Sequence, residues 1–116
     1  MLITSHICKT MDIGVNDNLF GGRMMAWLDE AGVIFAQYET GKKNFVTKSF
    51  DSIEFKLPVK VKDTVFISAV VKEKRSKGLS VELSAICNNQ LVCRTIGIFI
   101  HVDENGKPKN LEETNE

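Results

Sequence analysis

A single stretch, residues 21–39, has the hydrophobic periodicity of a long helix, and the stretches after it have the patterns of strands. Gly41 follows, at a position where a helix end favours glycine. The predicted strands are residues 2–9, 44–56, 64–75, 79–87 and 91–102. One helix cannot cover both faces of a parallel sheet. The order β-α-β-β-β-β therefore predicts an α+β fold in which a mostly antiparallel sheet of about five strands wraps around a long central helix.

The composition limits the class of protein. The chain has 116 residues, enough for one domain, and 15 basic residues balance 15 acidic ones. This balance argues against nucleic acid or an anionic membrane as the main partner, because both attract a basic surplus. No apolar run is long enough for a membrane span, and the first residues lack the pattern of a signal peptide. Cys8, Cys87 and Cys93 form no C-x-x-C motif, which predicts free thiols in a reducing cytoplasm.

The strand over residues 44–56 alternates, and the alternation predicts its two faces. One face contains Phe45, Thr47, Ser49, Asp51, Ile53 and Phe55, and the other contains Val46, Lys48, Phe50, Ser52 and Glu54. Pro58 interrupts the ladder, so residues 57–63 are predicted as a crossing or edge segment.

Asp29 is the residue that the helical phase leaves unexplained. At about 100° per residue, Arg23, Glu30 and Gln37 form a narrow polar stripe, and the largely apolar remainder predicts a core helix. Asp29 lies about 100° from that stripe. A carboxylate on an apolar face is costly unless it is paired, hydrogen-bonded or protonated, and such groups cluster at functional sites. A structural role for Asp29 is an equally good explanation of this pattern. In that case the acid would lie at the rim of the helix, or in a subunit contact with a structural hydrogen bond. Gly32, one turn later, favours function through close backbone approach, but helix–sheet packing explains it as well.

Gly21 and Gly22 open the same helix. A helix N-terminus offers unpaired N–H groups and a partial positive charge, and glycine leaves these groups accessible to a ligand oxygen. The pair can therefore hold a carbonyl as it becomes an oxyanion. In the alternative, Asn18 caps the helix and the glycines only shape the turn.

The spacing between the glycines and the acid constrains any shared chemistry. Gly22 and Asp29 are seven residues apart, which is about 10 Å along a helix axis. One helix cannot bring both groups to the same small substrate. If they cooperate, they come from different subunits, and the spacing then predicts a two-fold dimer with two composite sites.

These motifs resemble the hotdog-fold acyl-CoA thioesterases, specifically the bacterial and cytosolic acyl-CoA hydrolases. That family carries an Asn-rich loop, Phe-Gly-Gly and a Met-Asp or Leu-Asp pair, and this chain has N-D-N-L-F-G-G followed by Leu28-Asp29. Further along, the family's Val-Thr, Phe-x-x-Pro-Val and Val-x-Asp-x-x-Gly-Lys-Pro patterns correspond to Val46-Thr47 and to residues 55–59 and 102–108. The resemblance spans residues 12–109. It implies a single hotdog thioesterase domain over residues 1–109, followed by a short acidic tail over residues 110–116.

The resemblance implies hydrolysis of an acyl-CoA thioester to free acid and coenzyme A in the cytoplasm, with no metal and no cofactor beyond the coenzyme A of the substrate. Asp29 would act as general base or nucleophile, Gly22 would polarise the carbonyl through its backbone, and Asn18 would help to position the thioester. The implied substrate-binding residues are Phe20, Gly21 and Thr47, and the implied CoA-binding residues are Gly78, Ser80 and Arg94. The family implies a homodimer at minimum, with tetramers or hexamers open.

The basic residues near the turn after the third strand are further candidates for the coenzyme A phosphates. They are Lys74, Arg75 and Lys77. For each of them we favour the alternative of a solvated charged turn.

The chain departs from the family pattern in its loops. Gly14 stands where the family often has Asn, and Asp17 and Lys62 stand where it has Gly. Glycine permits a positive φ, which other residues tolerate less easily.

Two other functions stay open. A non-catalytic acyl-CoA-binding protein would leave Asp29 structural. A hotdog hydratase or dehydratase would usually need an acid–histidine pair, and His6 and His101, both in strand-like runs, are predicted to be structural.

Overall fold

A computed structural model describes residues 1–112 and contains one helix packed on one five-stranded sheet. The elements are β1 (Leu2–Ile7), a 3₁₀ turn (Thr10–Asp12), α1 (Gly21–Thr40), β2 (Phe45–Phe55), β3 (Thr64–Lys74), β4 (Gly78–Cys87) and β5 (Gln90–His101). All paired strands are antiparallel, in the order β1-β3-β4-β5-β2. The predicted element order and antiparallel sheet are confirmed. No helix within residues 1–112 is long and apolar enough to cross a membrane.

The helix ends show which local signals the sequence carries. Gly41 ends α1 at φ 72°, and its amide donates to Gln37 O at 2.9 Å, as the glycine position predicts. At the other end the cap is Phe20, and no side chain caps the helix. The alternative in which Asn18 caps α1 is therefore wrong.

The sheet covers one face of α1. The buried helix residues are Met24, Leu28, Ala31, Gly32, Phe35 and Ala36. They pack on side chains of β3, β4 and β5, among which Phe99 is fully buried. Outside this buried set, Ile34 is 41% exposed and Tyr38 is 67% exposed. The predicted packing of α1 as a core helix is confirmed for this buried set, and in the single chain the sheet leaves the other side of the helix uncovered.

The strict alternation predicted for β2 is also wrong. The register with β5 shifts between Thr47 and Ser49 and again between Asp51 and Glu54. Each bulge adds one residue and reverses which positions face the helix. Phe50, predicted on the face opposite Phe45, therefore packs against the same core.

The loop before α1 is organised around Asp12, which sequence reasoning did not single out. Its side chain is 7% exposed, accepts a hydrogen bond from the Lys9 amide at 2.9 Å and lies 3.2 Å from Arg23 Nε. Its carbonyl accepts the Phe20 amide at 2.9 Å. Asp12 thereby joins the loop to the first turn of α1.

Two residues that stand where the family has glycine adopt left-handed backbone conformations: Asp17 has φ 60° and Lys62 has φ 79°. Lys62→Gly is expected to raise the free energy of unfolding by about 0.5–1 kcal/mol, because relief of the left-handed strain outweighs the added entropy of the unfolded chain. Urea denaturation measures the change. Lys62→Ala is the control, since it keeps the strain and should give no gain. A Lys62→Gly variant less stable than Lys62→Ala would contradict the expectation.

The last described residues pack near the turn between β3 and β4. Leu111 is buried, and its amide donates to Ser76 O at 2.8 Å. Residues 113–116 of the predicted tail (110–116) lie outside the described residues, and the boundary at residue 109 stays a prediction.

Candidate active site

Asp29 is held by one neighbouring hydroxyl. Its side chain is half-buried on α1, whereas that of Glu30 is exposed. The Thr47 hydroxyl on β2 donates to Asp29 Oδ1. Among residues 1–112 no other side chain bonds Asp29. One carboxylate oxygen is therefore oriented by β2, and Oδ2 keeps its lone pairs for another donor.

The N-terminus of α1 presents open donors. The amides of Arg23 and Met24 donate to Phe20 O at 2.9 and 3.1 Å, whereas those of Gly21 and Gly22 bond no acceptor within the described part of the chain. A Cβ on Gly22 would lie 2.6 Å from Phe20 Cε2. The missing side chain at Gly22 therefore leaves room for the Phe20 ring beside two free N–H groups.

A cavity of about 530 Å³ adjoins these amides. It is lined by Gly14, Val15, Asn16, Asn18, Leu19, Phe20, Gly21, Met24, Phe55, Lys56, Leu57, Pro58, Val59 and Val92. Ligand sites in proteins have this size and this mostly apolar character, with a few polar groups. The structure thus brings Asn18, Phe20 and Gly21 to one cavity, which neither Asp29 nor Thr47 lines.

The predicted CoA-binding residues do not join either group. A Cβ on Gly78 would overlap the carbonyl oxygen of Phe99, so close strand packing requires this glycine. Ser80 is 7% exposed within β4. Neither residue lines the cavity or bonds Asp29.

Arg94 is engaged with carboxylates on the outer face of the sheet. Its Nη2 lies 2.6 Å from Glu82 Oε2 and its Nη1 lies 3.4 Å from Glu54 Oε1. The hydrogen bond from Arg94 holds the pKa of Glu82 below its usual value, and that of Arg94 is raised in turn. An incoming phosphate would compete with both carboxylates.

Two of the other basic candidates also have acidic partners. Lys74 Nζ lies 3.7 Å from Glu112 Oε1, and Arg75 Nε lies 3.5 Å from Glu73 Oε1. These are exposed pairs of the kind that contribute little to stability.

The histidines and cysteines have packing partners. The His6 ring stacks on Trp27 with centroids 4.6 Å apart, and His101 Nδ1 lies 3.2 Å from Lys109 O. All three cysteines are free and buried, as free thiols were predicted. Burial raises the pKa of Cys93 to about 11, which keeps this thiol protonated and unreactive.

His6 predicts a pH-dependent stability. Burial lowers the pKa of His6 below its ordinary value of 6.5, against the opposing charge of Glu30. The folded state thus disfavours the imidazolium. The contribution of neutral His6 to the free energy of unfolding is fully present above pH 6.5. It is lost as the pH falls from 6.5 through the lower pKa that His6 has in the folded state.

Thermal unfolding midpoints between pH 7.5 and 5 would measure this dependence. His6→Phe keeps a ring on Trp27 and removes the titration, so its midpoint should vary less with pH in this range. Equal slopes for the two proteins would contradict the assignment to His6.

Comparison with known proteins relates this geometry to a family. Residues 16–94 match the family model described as Thioesterase superfamily. An uncharacterized acyl-CoA thioester hydrolase of Buchnera aphidicola (subsp. Schizaphis graminum) is 31% identical, over 95% of this chain and 87% of its own length. The uncharacterized acyl-CoA thioester hydrolase YkhA of Bacillus subtilis is 28% identical over 90% of this chain. The chain spans 66% of the length of YkhA.

Solved structures give the fold its name. Cj0915 of Campylobacter jejuni, a hexameric hotdog fold thioesterase, has a TM-score of 0.85 and 23% identity, with 94% of this chain and 88% of that chain covered. An acyl-CoA hydrolase variant from Staphylococcus aureus, in complex with coenzyme A, has a TM-score of 0.84 and 28% identity, with coverages of 92% and 67%. The hotdog fold predicted from the sequence is confirmed.

Proposed function

Because the chain belongs to the thioesterase superfamily, we propose that it hydrolyses acyl-CoA thioesters to a free carboxylic acid and coenzyme A. The names of its relatives support a thioester hydrolase acting on acyl-CoA. The observation that carries the proposal is the Asp29 carboxylate, with Oδ1 held by Thr47 and Oδ2 left for a water. The enzyme is cytoplasmic in this proposal and needs no cofactor beyond the coenzyme A of its substrate.

Asp29 accounts for the proton in this reaction. As general base it takes a proton from water while the oxygen of that water attacks the thioester carbonyl. The resulting oxyanion is held by the N–H groups of Gly21 and Gly22, which the helix dipole reinforces. Collapse of the tetrahedral intermediate breaks the C–S bond, and the coenzyme A thiolate takes the proton from Asp29. Asp29 can instead attack the thioester carbonyl as nucleophile, which breaks the C–S bond, expels the coenzyme A thiolate and forms a mixed anhydride. Water then cleaves the anhydride to the free acid and the Asp29 carboxylate, and the proton released goes to the thiolate.

The active site is composite in this proposal. The two parts of the site lie about 10 Å apart along α1, so one chain cannot supply both to the same carbonyl. β2 is an edge strand of the sheet and carries exposed Val46 and Phe55, 46% and 55% accessible. An unpaired apolar edge of this kind favours pairing with another chain. A two-fold homodimer, at minimum, would then form two equivalent sites.

Mixing two inactive variants tests the composite site. Asp29→Asn removes the base, and Gly22→Val forces a branched side chain against the Phe20 ring, which disturbs the helix N-terminus that would hold the carbonyl oxygen. In a randomly mixed dimer population about a quarter of the sites combine two unmodified halves, so thiol release should recover to about that fraction. Mixed dimers that form, as native mass spectrometry would show, but stay inactive would contradict the shared site.

A panel of acyl-CoA substrates tests the activity itself. The release of free coenzyme A thiol is followed colorimetrically for acyl groups of different lengths. We expect release for at least one length class of acyl group. Binding without thiol release would instead indicate the acyl-CoA-binding protein. Loss of enoyl-CoA absorbance without release would indicate the hydratase. The contacts of His6 with Trp27 and of His101 with Lys109 disfavour the hydratase, because neither histidine pairs with Asp29.

A further inference from the structure

Lys60 contacts Asn18 beside the cavity, although the two residues are 42 positions apart in the chain. Lys60 Nζ donates to Asn18 Oδ1. An ammonium group has three donors and no acceptor, so it can face only the oxygen of the side-chain amide. The NH₂ of Asn18 is thereby turned away from Lys60. Asn18 itself lines the cavity together with Gly21.

Hydrogen bonds of backbone groups hold the segments of both partners. On one side the amide of Leu19 donates to Val59 O at 2.7 Å, which joins the residues next to Asn18 and Lys60. On the other side the Lys60 amide donates to Asp63 Oδ2 at 2.9 Å and its carbonyl accepts the Asp63 amide at 3.0 Å. The Lys60–Asn18 contact therefore connects two chain segments whose backbones are already fixed by hydrogen bonds.

The charge of Lys60 is not offset by an ion pair. Lys56, which lines the same cavity, lies 3.1 Å from Glu54 Oε2. Across residues 1–112 no carboxylate lies within ion-pair distance of Lys60 Nζ. Lys60 is exposed, and its positive charge acts directly on the amide of Asn18 through a charge-assisted hydrogen bond.

We infer that Lys60 is a positioning residue for the proposed hydrolysis: it holds Asn18 so that the amide NH₂ is a third donor to the thioester oxygen, beside the N–H groups of Gly21 and Gly22. The inference rests on the proposed function. A donor that is oriented before the substrate arrives stabilises the oxyanion without reorganisation. The competing explanation is a purely structural tether for the loop before α1.

Kinetics separate these explanations. Lys60→Met keeps the length of the side chain and removes the charge. It should lower kcat about tenfold and change KM less than twofold, because the effect falls on the transition state. Lys60→Arg should retain most of the activity. Lys62→Met, which removes an exposed charge two residues away, is the matched control and should behave like the wild type.

A double variant tests whether Lys60 acts through Asn18. In an Asn18→Ala background the Lys60→Met change should cost no further activity. A loss that persists in that background overturns the inference. So does a Lys60→Met variant whose kcat is unchanged.

A nuclear magnetic resonance readout does not depend on activity. The side-chain amide resonance of Asn18 should shift in Lys60→Met and stay in place in Lys62→Met. An unmoved resonance overturns the inference even if the enzyme is active. If the Asn18 resonance shifts but the wild-type protein releases no thiol from any acyl-CoA, the Lys60–Asn18 contact is supported and only the proposed function is contradicted.

Discussion

Asp29→Asn is expected to lower kcat for thioester hydrolysis by about 10²- to 10⁴-fold, the range that general-base groups contribute. The amide keeps the size of the carboxylate, and its oxygen can still accept the Thr47 hydroxyl, but it cannot take a proton from water. The fold should persist because the change removes no packing. Thiol release at saturating substrate measures kcat, and thermal unfolding checks the fold.

Glu30→Gln is the matched control for Asp29→Asn. It makes the same chemical change one residue further along α1, on an exposed side chain, and should leave turnover within a factor of two of the wild type. A variant Asp29→Asn that keeps more than a tenth of wild-type turnover would exclude Asp29 as base and as nucleophile.

Gly32→Ala is expected to lower the free energy of unfolding by about 3 kcal/mol, near the upper end of overpacking costs. A Cβ at Gly32 would overlap Phe99 Cζ and would lie 2.6 Å from Cε2. The ring has little room to move, because the same Cε2 atom lies so near the backbone of Gly97 that a Cβ built there would be 2.7 Å away, and Phe50 packs against the ring edge-on at a centroid distance of 6.2 Å. Urea denaturation of the two proteins gives the difference.

Gly21→Ala is a second glycine-to-alanine change in α1 and serves as the control. Its Cβ would meet Phe55 Cζ at 3.5 Å, an ordinary contact, so its stability should stay within about 1 kcal/mol of the wild type. Phe99→Leu should recover part of the loss when combined with Gly32→Ala. Equal stabilities for Gly32→Ala and Gly21→Ala would exclude Phe99 as the reason for the glycine.

The elements that follow local rules were predictable from the sequence. The helix period and Gly41 predicted α1 almost to the residue, and alternation and turns predicted the order of the strands along the chain, though not their order in the sheet. The bulges of β2 were not predictable, because an added residue leaves the local pattern unchanged and appears only in the pairing with β5.

The candidate site was only partly predictable. Helical phase singled out Asp29 because an acid off the polar stripe needs a reason, but it could not show whether Gly32 served function or packing. Phe99, 67 positions away from it in the chain, is the packing partner. The Asp12–Arg23 and Asn18–Lys60 contacts likewise depend on which chain segments meet, and Arg94 was a candidate for phosphate until its carboxylate partners were known.

The glycine at position 32 also sets how deeply the helix sits in the sheet. Phe99, the ring under Gly32, is the register partner of Thr47. The same strand pair that fixes the height of α1 therefore carries the hydroxyl that reaches Asp29 one turn earlier. The side chain of Thr47 is short. It reaches Asp29 only because the helix packs as close to the sheet as the missing Cβ of Gly32 allows. The depth at which α1 packs on β5 therefore sets the distance between Asp29 and Thr47. A helix displaced from the sheet by the width of one methyl group would lose this hydrogen bond.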